Sequence, residues 1–287
     1  EAQDVRLATA LAWIDLFYAK RRLAQLDLLN NSLIDLQATV TARLASGSAR
    51  PSQALEPEQL RAAITDRRTE LQAEVTKARA RLARLTGDPD VDVLGDAPLL
   101  DVDGPALRAH VASLPRLQAL DARVRTADAD VTLAQADKRP DLRVSTSYGR
   151  RDPAYGDMVS VSVTIDLPFF GKRRQDPLIA ARESDARRAG FTREAGERDI
   201  LAELDADLAD HAMHMQRLMN ARQTLVPLAK RRAELDMASY AAGKLYLGSA
   251  LLSTLALAEA EVDALSREAD VARDAIRINY TYGEMRP

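Results

Sequence analysis

Leu142-Arg143-Val144-Ser145-Thr146-Ser147-Tyr148-Gly149 and, after a polar connection, Val159-Ser160-Val161-Ser162-Val163-Thr164-Ile165-Asp166-Leu167 are the stretches on which the fold turns. Both runs alternate. Leu142, Val144, Thr146 and Tyr148 fall on one side of the first, against Arg143, Ser145, Ser147 and Gly149. Val159, Val161, Val163, Ile165 and Leu167 oppose Ser160, Ser162, Thr164 and Asp166 in the second. Successive side chains of a strand point to opposite faces, so these runs, joined by Arg150 to Asp157 and stopped by Pro168, predict a β-hairpin. Each is about nine residues long, the length of a tilted strand crossing a bilayer. A lone hairpin is marginal in water. Two settings fit: helices of the same chain cover the apolar face, or lipid meets that face while water meets the other. The second demands closure with further strands, because open backbone edges are costly in lipid.

Outward from the hairpin, everything reads as helix. Over residues 4–45, Ala12, Leu16, Ala19, Leu23, Leu26, Leu33, Val40 and Leu44 form a seam of three- and four-residue steps, with Asn30 and Gln37 filling its gaps. That 3.5-residue period is a coiled-coil signal. Ser46-Gly47-Ser48, Pro51 and Pro57 break it. A second helix from about Glu58 carries Leu71, Val75, Ala78, Leu82 and Leu85, and Gly87 and Pro89 end it. Residues 88–115, with Pro98, Pro105 and Pro115, predict a compact loop with a short helix; an Ala-rich helix over 116–138 stops at Pro140. After Gly171 and Pro177 a helical pattern runs to about Ala242, with Leu201, Leu204, Leu208, His211, Met215, Leu218, Arg222 and Leu225 on its seam. Pro227 is expected to bend that helix, whose length would reach roughly 95 Å. A last helix from about Ser249 to Tyr280 carries Leu251, Leu255, Ala258, Val262, Leu265, Ala269, Ala272 and Ile276.

The fold class is therefore mainly α, with long coiled-coil-like helical hairpins and one β-hairpin. The expected divisions are 1–87 (first helical hairpin), 88–115, 116–139 (helix leading to the strands), 140–168 (β-hairpin) and 169–287 (long helix and second helical hairpin). The two helical hairpins look duplicated. Gly47 in the first turn and Gly243 in the second stand 196 positions apart, as do the terminal Gly87 and Gly283. Spacings of that size mark a doubled half-protein, since solenoid units recur every 20–50 residues.

Composition narrows the function. Forty basic against 43 acidic residues leave a net charge of −3, which argues against a nucleic-acid partner. The absence of cysteine excludes disulfides, thiolate catalysis and cysteine-based metal sites. No run approaches the roughly 18 apolar residues of a membrane-spanning helix. No nucleotide-loop, zincin or hydrolase motif is present, so no enzyme activity and no cofactor are expected.

The Pro140-to-Gly149 strand start, the Val159-to-Pro168 strand with its Leu167-Pro168-Phe169 ending, and the Tyr240-to-Leu252 turn followed by an Ala-rich helix together resemble the outer-membrane efflux protein family typified by TolC. The resemblance covers nearly the whole chain, through the order and spacing of these features. It implies a homotrimer whose protomers give strands to one β-barrel in the outer membrane and helices to a periplasmic tunnel. It implies a passive efflux duct docked to a periplasmic adaptor (membrane fusion) protein and an inner-membrane resistance-nodulation-division pump. By resemblance, Gly47, Gln53 and Leu55 of the first turn and Tyr240, Gly243, Ser249, Leu251 and Leu252 of the second form the adaptor-docking tips. Leu142, Val144, Tyr148, Val159, Val161, Val163, Ile165 and Leu167 would face lipid. The Phe169-to-Pro177 stretch is similar to the heavy-metal branch, the CzcC- and CusC-like channels, implying metal resistance and export of metal cations or small toxic solutes. Family members have two β-hairpins per protomer and this chain shows one, so it reads as an N-terminally incomplete protomer. Some members carry Asp where Gln53 and Ser249 stand here, so an acidic entrance ring is not expected.

Three further features have plainer readings beside functional ones. His211 and His214, three apart on a helix, are candidate metal ligands, though His211 occupies a packing position on the seam. Lys172-Arg173-Arg174, just after the second strand, fits a solvated helix start, a lipid headgroup boundary or the tunnel wall. The carboxylates are scattered along helix faces, as ordinary helix pairing explains. Rival functions are a type I secretion exit duct of the same fold and a soluble periplasmic coiled-coil scaffold or adaptor.

Overall fold

The computed structural model describes residues 2–45, 55–98, 100–152, 154, 156–166 and 171–283, and their side chains except at 2–3, 29–45, 166 and 171. Gly47 and Gln53 of the first tip, Leu167, and Phe169 with Phe170 lie outside the described residues. The chain forms two compact units, one of residues 1–107 with 204–287 and one of residues 108–203.

The first unit is helical. Its main elements are α1 (Ala2–Ala45), α2 (Glu56–Thr86), the end of α5 (Gly171–Asn220), α6 (Val226–Ala241) and α7 (Leu247–Tyr282). The described part of the α1 seam is buried as its period requires. Ala12, Leu16 and Ala19 pack on Val75, Ala78 and Leu82 of α2. A second face of α1 is buried too: Ile14, Phe17 and Tyr18 meet Ala269 and Ile276 of α7. Trp13 stacks on Phe17, with ring centroids 5.3 Å apart, and Tyr18 meets Phe17 edge-on at 5.1 Å. Nearer the turns, Leu26, Leu60, Ile64 and Leu71 join Tyr240, Leu247, Ala250, Leu251 and Ala258 in one four-helix cluster. Burying each of these large side chains stabilises the unit by about 1.5–3 kcal/mol. Gly87 ends α2 in the left-handed conformation (φ 77°), its N–H donating to the Ala83 carbonyl at 2.8 Å.

Between α5 and α6 the helix widens into a π-turn, Ala221–Leu225. Pro227 follows at once. In a regular helix its ring would clash with the carbonyl four residues earlier, and it has no N–H to donate. The wider turn relieves the conflict and adds a residue, which rotates the downstream face. Ala221, at the start of the turn, is buried, while Arg222 and Leu225 of the expected seam are exposed; before the turn, Leu218 is buried as its seam position requires and Met215 is exposed.

The second unit contains α4 (Pro115–Ala136), β1 (Asp141–Gly149), β2 (Met158–Asp166) and the first part of α5. The short α3 (Gly104–His110) and a 3-10 turn, Val111–Ser113, lead into it, and Leu107 and Val111 are buried. Leu114, Leu117, Ala134, Ile179 and Ile200 are its other buried apolar residues. Arg116–Glu203 (2.7 Å), Arg193–Asp121 (2.9 Å) and Lys138–Asp176 (2.6 Å) bridge α4 and α5. Helix α5 already begins at Gly171, so Pro177 lies inside it rather than before it. The lost donor there removes a single backbone bond close to the helix start, which the remaining turns outweigh.

Candidate functional site

The hairpin is antiparallel and regular. Leu142 pairs with Ile165, Val144 with Val163, Thr146 with Val161 and Tyr148 with Val159. Alternation places all eight on one face. The seven large apolar side chains among them are 56–69% exposed, so among the described residues nothing covers that face. Leaving them in water forgoes on the order of 10 kcal/mol of burial. The opposite face is polar: Ser145 and Ser162 hydroxyls meet at 2.7 Å, next to the Ser147–Ser160 pair. At the far end, the Tyr148 hydroxyl donates to the Asp157 carboxylate, and Gly156 takes a positive φ of 67° in the connection. Among the described residues the sheet has two strands, so each strand keeps one unpaired edge.

The second tip is built by helix capping. The Gly243 N–H donates to the Tyr240 carbonyl and the Lys244 N–H to the Ser239 carbonyl, both at 2.9 Å, with Gly243 at φ 72°. This paired arrangement ends a helix through a left-handed residue, a conformation that costs glycine nothing. Of the expected docking residues here, Tyr240 and Leu251 point into the four-helix cluster and Ser249 is exposed. Leu252 is 65% exposed and Leu55, where α2 begins, is 57% exposed. The structure adds Tyr246, 63% exposed, which the sequence reading omitted. Its position beside the Gly243 turn was the available signal. Gly248 faces the Glu56 carboxylate so closely that an added Cβ would come within 3.3 Å of it.

His211 and His214 do not assemble a metal centre. The His214 Nδ1 lies 2.6 Å from the carboxylate of buried Asp274, which Arg277 also contacts at 3.2 Å. Arg277 and the Tyr282 hydroxyl in turn reach Asp207, at 3.2 and 3.0 Å. The buried Nδ1 of His211 has no hydrogen-bond partner among the described residues. Burial holds its pKa below the ordinary imidazole value, with Asp274 opposing the shift and His214 adding to it. Among the described residues, no three His, Asp or Glu groups are placed to hold a metal ion.

A cleft of about 430 Å³ between α1, the π-turn and α7 is lined by Arg21, Gln25, Arg222, Glu261 and Glu268. Arg222 and Glu268 are ion-paired at 2.6 Å, and Gln25 donates to Glu261 at 2.6 Å. Burial and the Glu268 carboxylate push Tyr18, nearby, up to about 12. Its phenol therefore stays protonated and has no use as a base. Among the described residues no helix is long and apolar enough to cross a membrane.

Comparison with known proteins places this geometry. The outer membrane efflux protein family matches residues 108–279. A membrane protein from Pseudomonas aeruginosa is similar in fold, with TM-score 0.81 and 19% identity over 98% of this chain and 68% of the other. The open-state MtrE outer membrane channel of Neisseria gonorrhoeae gives 0.79 and 16%, over 98% and 66%. CusC gives 0.81 and 14%, over 97% and 68%, and at that identity it singles out no heavy-metal branch. The chain thus spans about two thirds of the length of these structures. No match was found among the curated proteins compared. With more than half its length matched and its mainly α fold with a β-hairpin shared, this chain belongs to the outer membrane efflux protein family, channels of the Gram-negative outer membrane rather than enzymes.

Proposed function

We propose that the chain is a protomer of a homotrimeric, passive export duct in a tripartite efflux system. The hairpin joins strands of neighbouring copies in a closed barrel, its Leu142–Ile165 and Val144–Val163 face toward lipid and its serine face toward the lumen. The helices extend the conduit into the periplasm. The exposed apolar face of a hairpin with unpaired edges is the observation that carries this reading. Water leaves that face unburied and the backbone edges open; a lipid-embedded barrel answers both.

The tips, Gly47 to Leu55 and Tyr240 to Leu252, dock a periplasmic adaptor, which couples the duct to an inner-membrane pump of the resistance-nodulation-division class. Leu55, Tyr246 and Leu252 are the exposed apolar side chains at these turns. The cargo is a small toxic solute or metal cation, the latter resting on the heavy-metal likeness of the Phe169-to-Pro177 stretch.

The test uses the protein with whatever native sequence flanks residues 1–287, purified in detergent and reconstituted in planar bilayers. A trimeric protein mass and a steady conductance are expected. A monomer or dimer that stays soluble without detergent and passes no current would contradict the duct.

A further inference from the structure

Two basic runs flank the hairpin, and the duct reading gives neither a task. Lys138 and Arg139 end the segment entering β1; Lys172, Arg173 and Arg174 open α5 just beyond β2. All five are exposed. The Lys138–Asp176 ion pair, at 2.6 Å, ties the end of α4 to the start of α5 and brings the two runs to one end of the hairpin. Acidic residues share this end: Asp137, Asp141, Asp166 and Asp176. Asp176 is engaged by Lys138, and Asp141 and Asp166 face each other as the first rung of the ladder. No ion pair to Arg139, Lys172, Arg173 or Arg174 occurs among the described residues.

The placement of the second run is locally unfavourable. The first turn of α5 holds no acidic residue and three cations, at the end where the helix dipole already presents partial positive charge. Nothing in the packing requires this, since all three side chains are exposed. An external anion removes the conflict. The hairpin fixes which anion is near: if its apolar face lies in hydrocarbon, the ends of both strands on the helix side lie where the hydrocarbon ends and lipid phosphates begin.

We infer that Arg139, Lys172, Arg173 and Arg174 form a basic collar that binds the phosphates of anionic phospholipids in the leaflet nearest the helices. This rests on the duct reading, because it needs the hairpin in a bilayer. The collar sets how deep the strands sit: apolar side chains pull the hairpin in, and the cations stop it at the headgroups. Repeated around a closed barrel, it surrounds the channel.

The protein is reconstituted in nanodiscs holding equal amounts of phosphatidylglycerol and phosphatidylcholine, and retained lipid is counted by native mass spectrometry after mild detergent release. Each cation near an anionic surface is worth about fivefold in affinity, so if two of the four act on each bound lipid, retained phosphatidylglycerol should exceed phosphatidylcholine by about 25-fold. The preference should fall to about fivefold or less in the Lys172→Gln/Arg173→Gln/Arg174→Gln variant, which keeps Arg139, and to near parity in wild type at 0.5 M salt, which needs no altered protein. Inorganic phosphate at millimolar concentration should not displace the lipid; displacement would mean a free-phosphate site and overturn the lipid assignment. An acidic protein retained in place of lipid would overturn it too. Conductance is read from the same purified proteins in planar bilayers. Normal conductance without lipid preference overturns the collar and leaves the duct intact, whereas absence of conductance overturns both.

Discussion

His211 and His214 stand one helical turn apart on α5 and meet different surroundings. His214 has a buried carboxylate partner, while the Nδ1 of His211 is buried with none among the described residues. Because His211 titrates lower in the folded state, the unfolded chain takes up its proton first, near pH 6.5. Below that value the unfolded state holds more protons, so stability falls as the pH drops toward the depressed folded pKa. Above it, the contribution is fully present. His211→Gln should lose less melting temperature than wild type between pH 7 and pH 5; an equal loss would clear His211 of this role. The tip separates two neighbours in the same way. Leu251 is 2% exposed and Leu252 65%. Leu251→Ala should destabilise the unit by about 2–5 kcal/mol, whereas Leu252→Asp should leave melting unchanged and weaken adaptor binding in a pull-down. The reverse pattern would place the docking surface elsewhere. The sequence pointed to both leucines because both flank a glycine turn. It could not assign them, since burial of Leu251 depends on α2 and α1 closing over it from far along the chain.

The elements show where periodicity suffices and where it fails. The seams of α1, α2 and α7 repeat every 3.5 residues, and their described members pack as that repeat requires. The second buried face of α1 was not legible, because Ile14, Phe17 and Tyr18 interleave with the seam instead of extending it. At Arg222 and Leu225 the expected α5 seam fails for a reason local to Pro227: one proline demanded a wider turn, and one extra residue turned that face; the exposure of Met215, upstream of the turn, does not share this cause. Close approach of α4 and α5 was equally hidden. A Cβ at Gly196 would come within 2.4 Å of Leu120 Cδ1. Leu120 is half-buried and flexible, so Gly196→Ala should be nearly neutral, its helix propensity offsetting a small shift of Leu120. Gly196→Val should cost about 1–3 kcal/mol by overpacking. Thermal unfolding of the two variants checks this, and an unaffected valine variant would mean the contact is loose.

For the whole molecule, the hairpin is the feature that helix physics does not explain. Sixteen of its residues were legible as strand from alternation alone, at Leu142–Gly149 and Val159–Asp166, and the observed register pairs like face with like face. Alternation did not choose between a hairpin covered by its own helices and one left bare. The exposed face favours the second, since the described residues leave it bare. Tip chemistry was less legible than strand chemistry, since a strand writes its two faces into neighbouring residues and a tip assembles four helices.

The chain has no cysteine, so single cysteines can be placed at will. Val161→Cys and Ser162→Cys, each carrying a bimane label in the reconstituted protein, put one probe on each face of β2. Quenching of the 161 label by bromines on lipid acyl chains, with the 162 label quenched only by aqueous iodide, is the predicted result. Iodide quenching of both labels with no effect of brominated lipid would contradict the duct.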